Sequence, residues 1–405
     1  MPWREASVTD RRLEFVRLAS RPGANVSELC RRFDVARSNG YKWLERYRLE
    51  GEAGVKDRSR RPQASPRQSS TQIEAAVLRV RRESRGVWGG RKIGKVLERE
   101  GLVVPPSTVT AILRRHGELA ARAHEHPGPW HRFERAEPNE LWQMDFKGHF
   151  AIAQGRCHPL TVLDDHSRYA LEIGALGDEQ DLSVRGRLAD VFRCYGLPLT
   201  ILCDNGSPWG DAEDQPWTGL GVWLLRLGVG LRHGRAYHPQ TQGKDERFHR
   251  TLKAEVIDGE TFADLSHCQR AFDRWRPVYN HVRPHDALGL ATPAERFRPS
   301  PRTFPEILAP IEYGPGDIVR KVDQDGWISF KNRPWRIGRP FRGLPVALRP
   351  TDQDGVFTIR FMAQTIARLD LNAGQITVFR LVANAIASAT TPKTQTTPTQ
   401  QEDQP

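Results

Sequence analysis

The sequence predicts an α/β core, a mixed sheet with helices on both sides, preceded by small helical units and followed by a region of short strands. Three observations predict it. Between Leu141 and His238, apolar runs of strand length are interleaved with stretches of helical spacing, an order that puts strands into one sheet with helices over it. Upstream, from Val8 to Leu119, apolar residues recur at helical spacing. Beyond Ile311 the runs shorten to strand length, with Asp-Gly turn signals between them.

Residues 1–55 read as a helical unit. Leu13, Phe15, Val16 and Leu18 supply a first helix that Pro22-Gly23 ends, and Ser27, Leu29, Cys30 and Phe33 a second that stops near Asp34-Val35. Ala36 to Asn39 open a third, continued by Tyr41, Trp43, Leu44 and Tyr47. Short helix, tight turn and a helix beginning Arg-Ser-Asn is the form of a helix-turn-helix, whose leading end enters a major groove; a plain three-helix bundle with a solvated polar end fits the same residues. Residues 56–70 (KDRSRRPQASPRQSS) are basic, hold Pro and Ser, lack apolar periodicity, and read as a flexible linker. Helical spacing returns over residues 71–120, where Pro105, Pro106 and Ser107 form the entry to the last helix of a second helix-turn-helix-like unit. His116, His124, His126 and His131 cluster near residues 121–137 without a Cys pair, so this stretch reads as a solvated connector in preference to a structural zinc site.

The core spans residues 138–300. LWQMDFKGHFAIA, HPLTVLDD and RYALEIGAL read as successive strands, Leu182 to Tyr195 as a helix, LTILCD as a short buried strand, Gly221 to Leu227 as a helix, and VGLRHGRAYH as another strand. In AYHPQTQGKDERFHRTLKAEV a Pro, Gln, Thr and Gly loop leads into a helix after Gly243. At roughly 100° per residue, Glu246, Arg250 and Lys253 share one stripe of that helix, and Phe248, Leu252 and Val256 another. Asp145 interrupts a run rich in Trp, Met and Phe, and Asp204 ends an apolar run at an Asn-Gly turn. An ionised carboxylate buried without a partner costs several kcal/mol, so such acids pair with cations or coordinate metal. Asp164 and Asp165 are adjacent and read as turn-capping and ion-pairing groups. Asp245 points toward the Phe248 stripe, so Glu246 is the preferred partner of the other two acids.

In this order WQMDF, LDDHSRYAL, CDNGS, YHPQTQGKDERFHRTLK and YNHVRPHDALGLATP resemble the catalytic core of the DDE-type transposases encoded by bacterial insertion sequences, relatives of retroviral integrases. The resemblance is close from Pro138 to Pro299 and general outside it. It implies a ribonuclease-H-like fold and an Asp, Asp, Glu triad, catalytic and metal-binding, on Asp145, Asp204 and Glu246, holding two Mg²⁺ or Mn²⁺ ions. Lys253 matches a basic residue with which the family contacts DNA; Arg250 and Lys244 are further candidates on the same helix. With that core downstream, DNA binding is the favoured reading of the first helical unit, through Arg37, Ser38, Asn39 and Lys42. The implied partners are the terminal inverted repeats of a mobile element, target DNA, and further copies of the chain when both ends are held. The implied location is the bacterial cytoplasm and nucleoid. The segment GSPWGDAEDQPWTG departs from the family as a lengthened loop. Asn280, Arg283 and His285 are candidates for buttressing the triad or for a purely structural part. A nuclease of the same fold, and a regulator derived from a transposase, are the rival readings.

Residues 301–382 hold IVRKVD, WISF, PWRIG, PVALRP and VFTIRFM, which suggest a small β-barrel similar to the carboxy-terminal DNA-binding barrel of integrases; a barrel used only to dimerise is the alternative. Residues 383–405, rich in Thr, Gln and Pro, are expected to be disordered. The 405 residues allow roughly two to four domains. Lys plus Arg number 61 against 49 acids, a net charge of +12 that favours a polyanionic partner. With no amphipathic basic helix beside a lipid-anchor motif, nucleic acid ranks above a membrane surface. Cys30, Cys157, Cys194, Cys203 and Cys268 lack paired spacing, which fits free thiols in a reducing compartment, and no apolar run approaches a membrane span, so a soluble intracellular protein is expected.

Overall fold

The computed structural model describes residues 7–58, 68–119, 134–204, 206–210, 217–233 and 243–379. Two compact units divide the chain, Met1–Ser69 and Ser70–Pro405.

In the first unit, α1 (Val8–Ala19), α2 (Val26–Arg32) and α3 (Arg37–Glu50) surround Phe15, Val16, Cys30 and Leu44. Ser7 and Asp10 cap α1 reciprocally, and Asn25 caps α2 by accepting from the Glu28 amide. Gly40 is buried where α3 crosses the other two helices: a Cβ there would lie 2.4 Å from Cys30 Sγ and 3.0 Å from Phe15 Cζ. Close packing of α3 therefore demands glycine. Arg37, Ser38, Asn39 and Lys42 stand exposed at its leading end, as a helix-turn-helix requires.

The second unit begins with α4 (Thr71–Glu83), α5 (Gly90–Arg99) and α6 (Pro106–Arg115), packed around Val77, Val80, Ile93, Leu97, Val109, Ile112 and Leu113. Pro106 opens α6 as expected. His116 binds Glu74 at 2.8 Å, while His124, His126 and His131 lie outside the described residues.

The core follows as β1 (Leu141–Phe146), β2 (Phe150–Ile152), β3 (Gly155–Asp164), β4 (Ala170–Leu176), α7 (Asp181–Tyr195), β5 (Thr200–Cys203), α8 (Gly219–Arg226), β6 (Gly230–His233), α9 (Gly243–Leu252) and α10 (Leu265–Pro277). The sheet runs β2-β3-β1-β5-β6, with β4 also on β3. β1 is antiparallel to β3 and parallel to β5, and β5 is parallel to β6. One face packs Trp142, Met144, Leu160 and Val162 against Leu188, Phe192 and Leu224 of α7 and α8. The other packs Leu163, Ala170 and Ile173 against Phe248, Leu252, Phe272 and Trp275 of α9 and α10. Successive strand residues alternate faces, so Asp145, following Met144, belongs to the face that α9 covers. The strand predicted through His238 is described only over Gly230–His233; the Pro-Gln loop before Gly243, and residues 211–216 of the lengthened loop, lie outside the described residues.

The helical unit is fastened to this core by a buried carboxylate. After α9 the chain makes one π-helical turn, Lys253–Ile257, that turns Glu255 inward. Glu255 accepts from Trp88 Nε1 at 3.0 Å, Trp275 Nε1 at 2.9 Å and Arg283 Nε at 3.0 Å. Asn280 holds both backbone groups of Ala170 on β4, and His285 Nε2 lies 3.4 Å from the Tyr279 carbonyl. Asn280, Arg283 and His285 are thus all tied into the fold.

Beyond the core, β7 (Ile318–Lys321), β10 (Pro345–Pro350), β11 (Val356–Phe361), β12 (Gln364–Asp370) and β13 (Gln375–Val378) form one antiparallel sheet, with β8 (Trp327–Phe330) and β9 (Arg333–Arg336) as a separate hairpin. Sheet and hairpin share a core of Ile328, Phe330, Trp335, Phe341, Leu348 and Phe361, which also takes in Trp217, Val222 and Leu225 of the α8 region. The expected barrel is thus an open one: between β7 and β10 the chain leaves to make the hairpin, and the hydrogen-bonded path ends at β7 and β13. The tail expected to be disordered begins outside the described residues.

Candidate active site

Parallel pairing of β1 and β5 puts Asp145 near the end of one central strand and Asp204 directly after the end of its neighbour. This is the arrangement expected from their sequence contexts. The Asp145 side chain is 21 % exposed. Burial first, and the charge of Asp204 second, push its carboxyl from 3.8 up to about 7. Asp204 is steadied locally, its Oδ1 accepting from the Gly206 amide at 2.9 Å and its carbonyl lying 2.8 Å from His233 Nδ1.

Glu246 is not brought to the other two. Its side chain is 69 % exposed and paired with Arg250 at 3.1 Å, one turn along the same stripe. The face of α9 that meets the sheet carries Asp245 and His249. Asp245 is buried, as its helical position implied, but among acids: burial, then Asp145 and Asp165, raise its carboxyl well above the usual range, and Oδ1 has no hydrogen-bond partner among the described residues. His249 Nε2 lies 2.8 Å from Thr161 Oγ1, and its Nδ1 4.0 Å from Asp145 Oδ2. Burial, then the charge of Lys147, lowers this imidazole to about 4, so it is neutral. No group of three or more His, Cys, Asp or Glu is drawn together as a metal cluster among the described residues.

The surrounding cations sort into two kinds. Lys244, a candidate DNA contact, is turned inward onto Asp165, which also accepts from Gln143 Nε2 at 2.6 Å and the Arg135 amide at 2.9 Å. Its ammonium is lowered to about 8, chiefly by burial. Asp164 accepts from the Ser167 amide at 2.7 Å and the Asn139 amide at 2.8 Å, so both acids of the LDDHSRY motif cap and pair as expected. Lys253 is exposed, and its charge, after burial, lowers the ammonium of half-buried Lys147. Lys147, Thr161 and His249 had not been singled out from the sequence. His249 carried a signal, falling one helical turn after Glu246; Thr161 is found only from the strand register that sets it opposite Asp145.

As oxygen donors, two carboxylates without a Lys or Arg partner among the described residues suit a hard divalent cation. Residues 135–239 and 227–293 match profiles described as integrase core domain, and residues 317–377 match the C-terminal domain of the IS481 family transposases. These matches support an insertion-sequence transposase of the DDE type. Its amino-terminal part matches a helix-turn-helix domain over residues 11–63 and a homeodomain-like domain over residues 39–113, so it carries DNA-binding domains. A relative from Burkholderia multivorans, an uncharacterized protein of insertion element IS407, is 28 % identical over 238 residues, 57 % of this chain and 83 % of its own. A putative transposase of element IS5376 from Geobacillus stearothermophilus is 21 % identical over 364 residues, 86 % of this chain and 84 % of its own. Among solved structures, the HTLV-2 integrase catalytic core in complex with magnesium matches 40 % of this chain and 97 % of its own at 16 % identity and a TM-score of 0.31. A simian T-cell lymphotropic virus intasome in complex with a PP2A regulatory subunit matches 75 % of this chain and 98 % of its own at 15 % identity and a TM-score of 0.35.

Proposed function

We propose that this transposase binds the ends of a mobile DNA element, cuts phosphodiester bonds there, and joins the freed 3′ ends to target DNA, using two divalent ions held by Asp145, Asp204 and Glu246. The observation that carries this reading is the pair Asp145 and Asp204 on neighbouring parallel strands, where Asp145 has its proton affinity raised by burial and by its neighbour's charge. A divalent cation is the partner that relieves both. Glu246 completes the set by leaving Arg250, an exposed i,i+4 pair of the kind worth only about 0.3–0.5 kcal/mol. When bound, the ions supply positive charge to the attacking and leaving oxygens of an in-line displacement. The chain's own residues do the rest. Asp145 gives up its proton as it becomes a ligand, and Lys147 and Lys253 hold phosphate oxygens beside the acids. Arg37, Ser38, Asn39 and Lys42 contact DNA from α3. Lys244 orders Asp165 and the start of α9.

Water as attacking oxygen cuts an end, and a 3′ hydroxyl joins it. One experiment separates this from a nuclease or a regulator: a labelled linear end is incubated with plasmid and Mg²⁺ or Mn²⁺. Joined product is expected; cutting without joining supports the nuclease, and binding without either supports the regulator. Joining both ends needs an active site at each, so a multimer is expected on paired ends. Mass photometry showing a single copy on a complex that still joins both ends would contradict that.

A further inference from the structure

We propose that His249 is a positioning residue of this active site, pinning α9 to the strand pair that carries Asp145 and turning its other nitrogen toward the Asp145 carboxylate. The inference rests on the reading of Asp145 as a metal ligand. One hydroxyl proton decides which group donates. Thr161 lies opposite Asp145 in the β1–β3 register, and its Oγ1 donates to the Asp145 carbonyl at 3.0 Å. That contact uses the proton, because a carbonyl only accepts. At the 2.8 Å contact with His249 Nε2, Thr161 must therefore be the acceptor and His249 the N–H donor. The other ring nitrogen, Nδ1, faces Asp145 Oδ2 at 4.0 Å, too long for a hydrogen bond.

Glu246 lies one turn before His249 and roughly 60° around the helix, so the Thr161 bond fixes the height and rotation of the helix that carries Glu246. Nothing in carboxylate chemistry alone calls for a buried imidazole here.

The two nitrogens can be tested separately in the full chain. His249→Gln keeps a donor near the Nε2 position and loses the Nδ1 nitrogen; His249→Asn keeps a polar atom near Nδ1 and loses the Thr161 bond; Thr161→Val removes that bond from the other side. Mn²⁺ binding is read by electron paramagnetic resonance alongside thermal midpoint and binding of a labelled DNA end. Residues that orient metal ligands are typically worth about 10- to 100-fold in metal affinity, so each variant should weaken Mn²⁺ binding by about 10-fold or more with DNA-end binding unchanged. Lower midpoints with unchanged Mn²⁺ affinity would overturn the proposal in favour of a packing role. Asp145→Asn serves as the reference. If it abolishes Mn²⁺ binding while the His249 variants do not weaken it, only this inference fails. If it leaves Mn²⁺ binding intact, the metal-ligand reading fails and takes the inference with it.

Discussion

Asp145 shows what a carboxylate costs a protein when it is held near the end of a buried strand beside a second acid. Its folded carboxyl titrates near about 7 against 3.8 when unfolded, so the folded state holds the proton more tightly. The stability this contributes is full below the unfolded value and is lost as pH rises from there to about 7. Asp145→Asn never acquires the charge. Without added metal the variant should therefore be more stable than the parent at pH 8, by on the order of 2 kcal/mol after allowance for partial solvent access, with little difference at pH 4. Thermal melts at the two pH values check this, and equal stability at pH 8 would deny the burial cost. Mg²⁺ binding should likewise tighten as pH rises through about 7 and release protons, which calorimetry in two buffers of different ionisation enthalpy measures. Asp145 and Asp204 were legible in the sequence because each breaks an apolar strand pattern. The inward turn of Asp245 also followed from helical periodicity. What periodicity could not show is that this inward face meets Asp145, because that depends on where the helix crosses the sheet.

At the scale of elements, one carboxylate ties two modules together. Glu255 gathers Trp88 from the helical unit with Trp275 and Arg283 from the core. Its side chain is 4 % exposed, so breaking this buried pair leaves Arg283 uncompensated. Glu255→Ala should cost about 3–5 kcal/mol and loosen α4–α6 from α10, seen as faster amide exchange in both. Unchanged exchange would mean that packing alone joins them. Sequence reading did not find this hub, since a Glu in KAEV on an otherwise regular helix looks solvated; the π turn that points it inward is a tertiary outcome. The helices themselves were legible, their caps and Pro entries being local. In the first unit, Gly40→Val should disrupt the approach of α3 to Cys30 and Phe15 and lower stability by about 1–3 kcal/mol. An unaltered midpoint for that unit would show that α3 has room to shift.

For the whole molecule, the net charge of +12 comes from the two helical units, the segment between them and the carboxy-terminal region, while residues 138–300 hold 19 Lys and Arg against 22 acids. If these share one polyanion, end binding should weaken log-linearly with salt, with a slope of about −0.9 per phosphate contact. A flat dependence would mean that the charge is merely solvated. The succession of helical and strand-rich stretches was readable because each has its own periodicity. The opening of the barrel was not, because whether edge strands meet is decided by how the β8–β9 hairpin packs.

On the proposed reading Glu246, now paired with Arg250 at the surface, joins Asp145 and Asp204 when DNA and metal are bound. The most direct test is strand transfer of a labelled end into plasmid with Mg²⁺ or Mn²⁺, comparing the parent with Glu246→Gln and Asp245→Asn. Joining lost in Glu246→Gln while end binding persists, with joining retained in Asp245→Asn, is the predicted result. Joining retained in Glu246→Gln and lost in Asp245→Asn would instead make the buried Asp245 the third ligand and contradict the account.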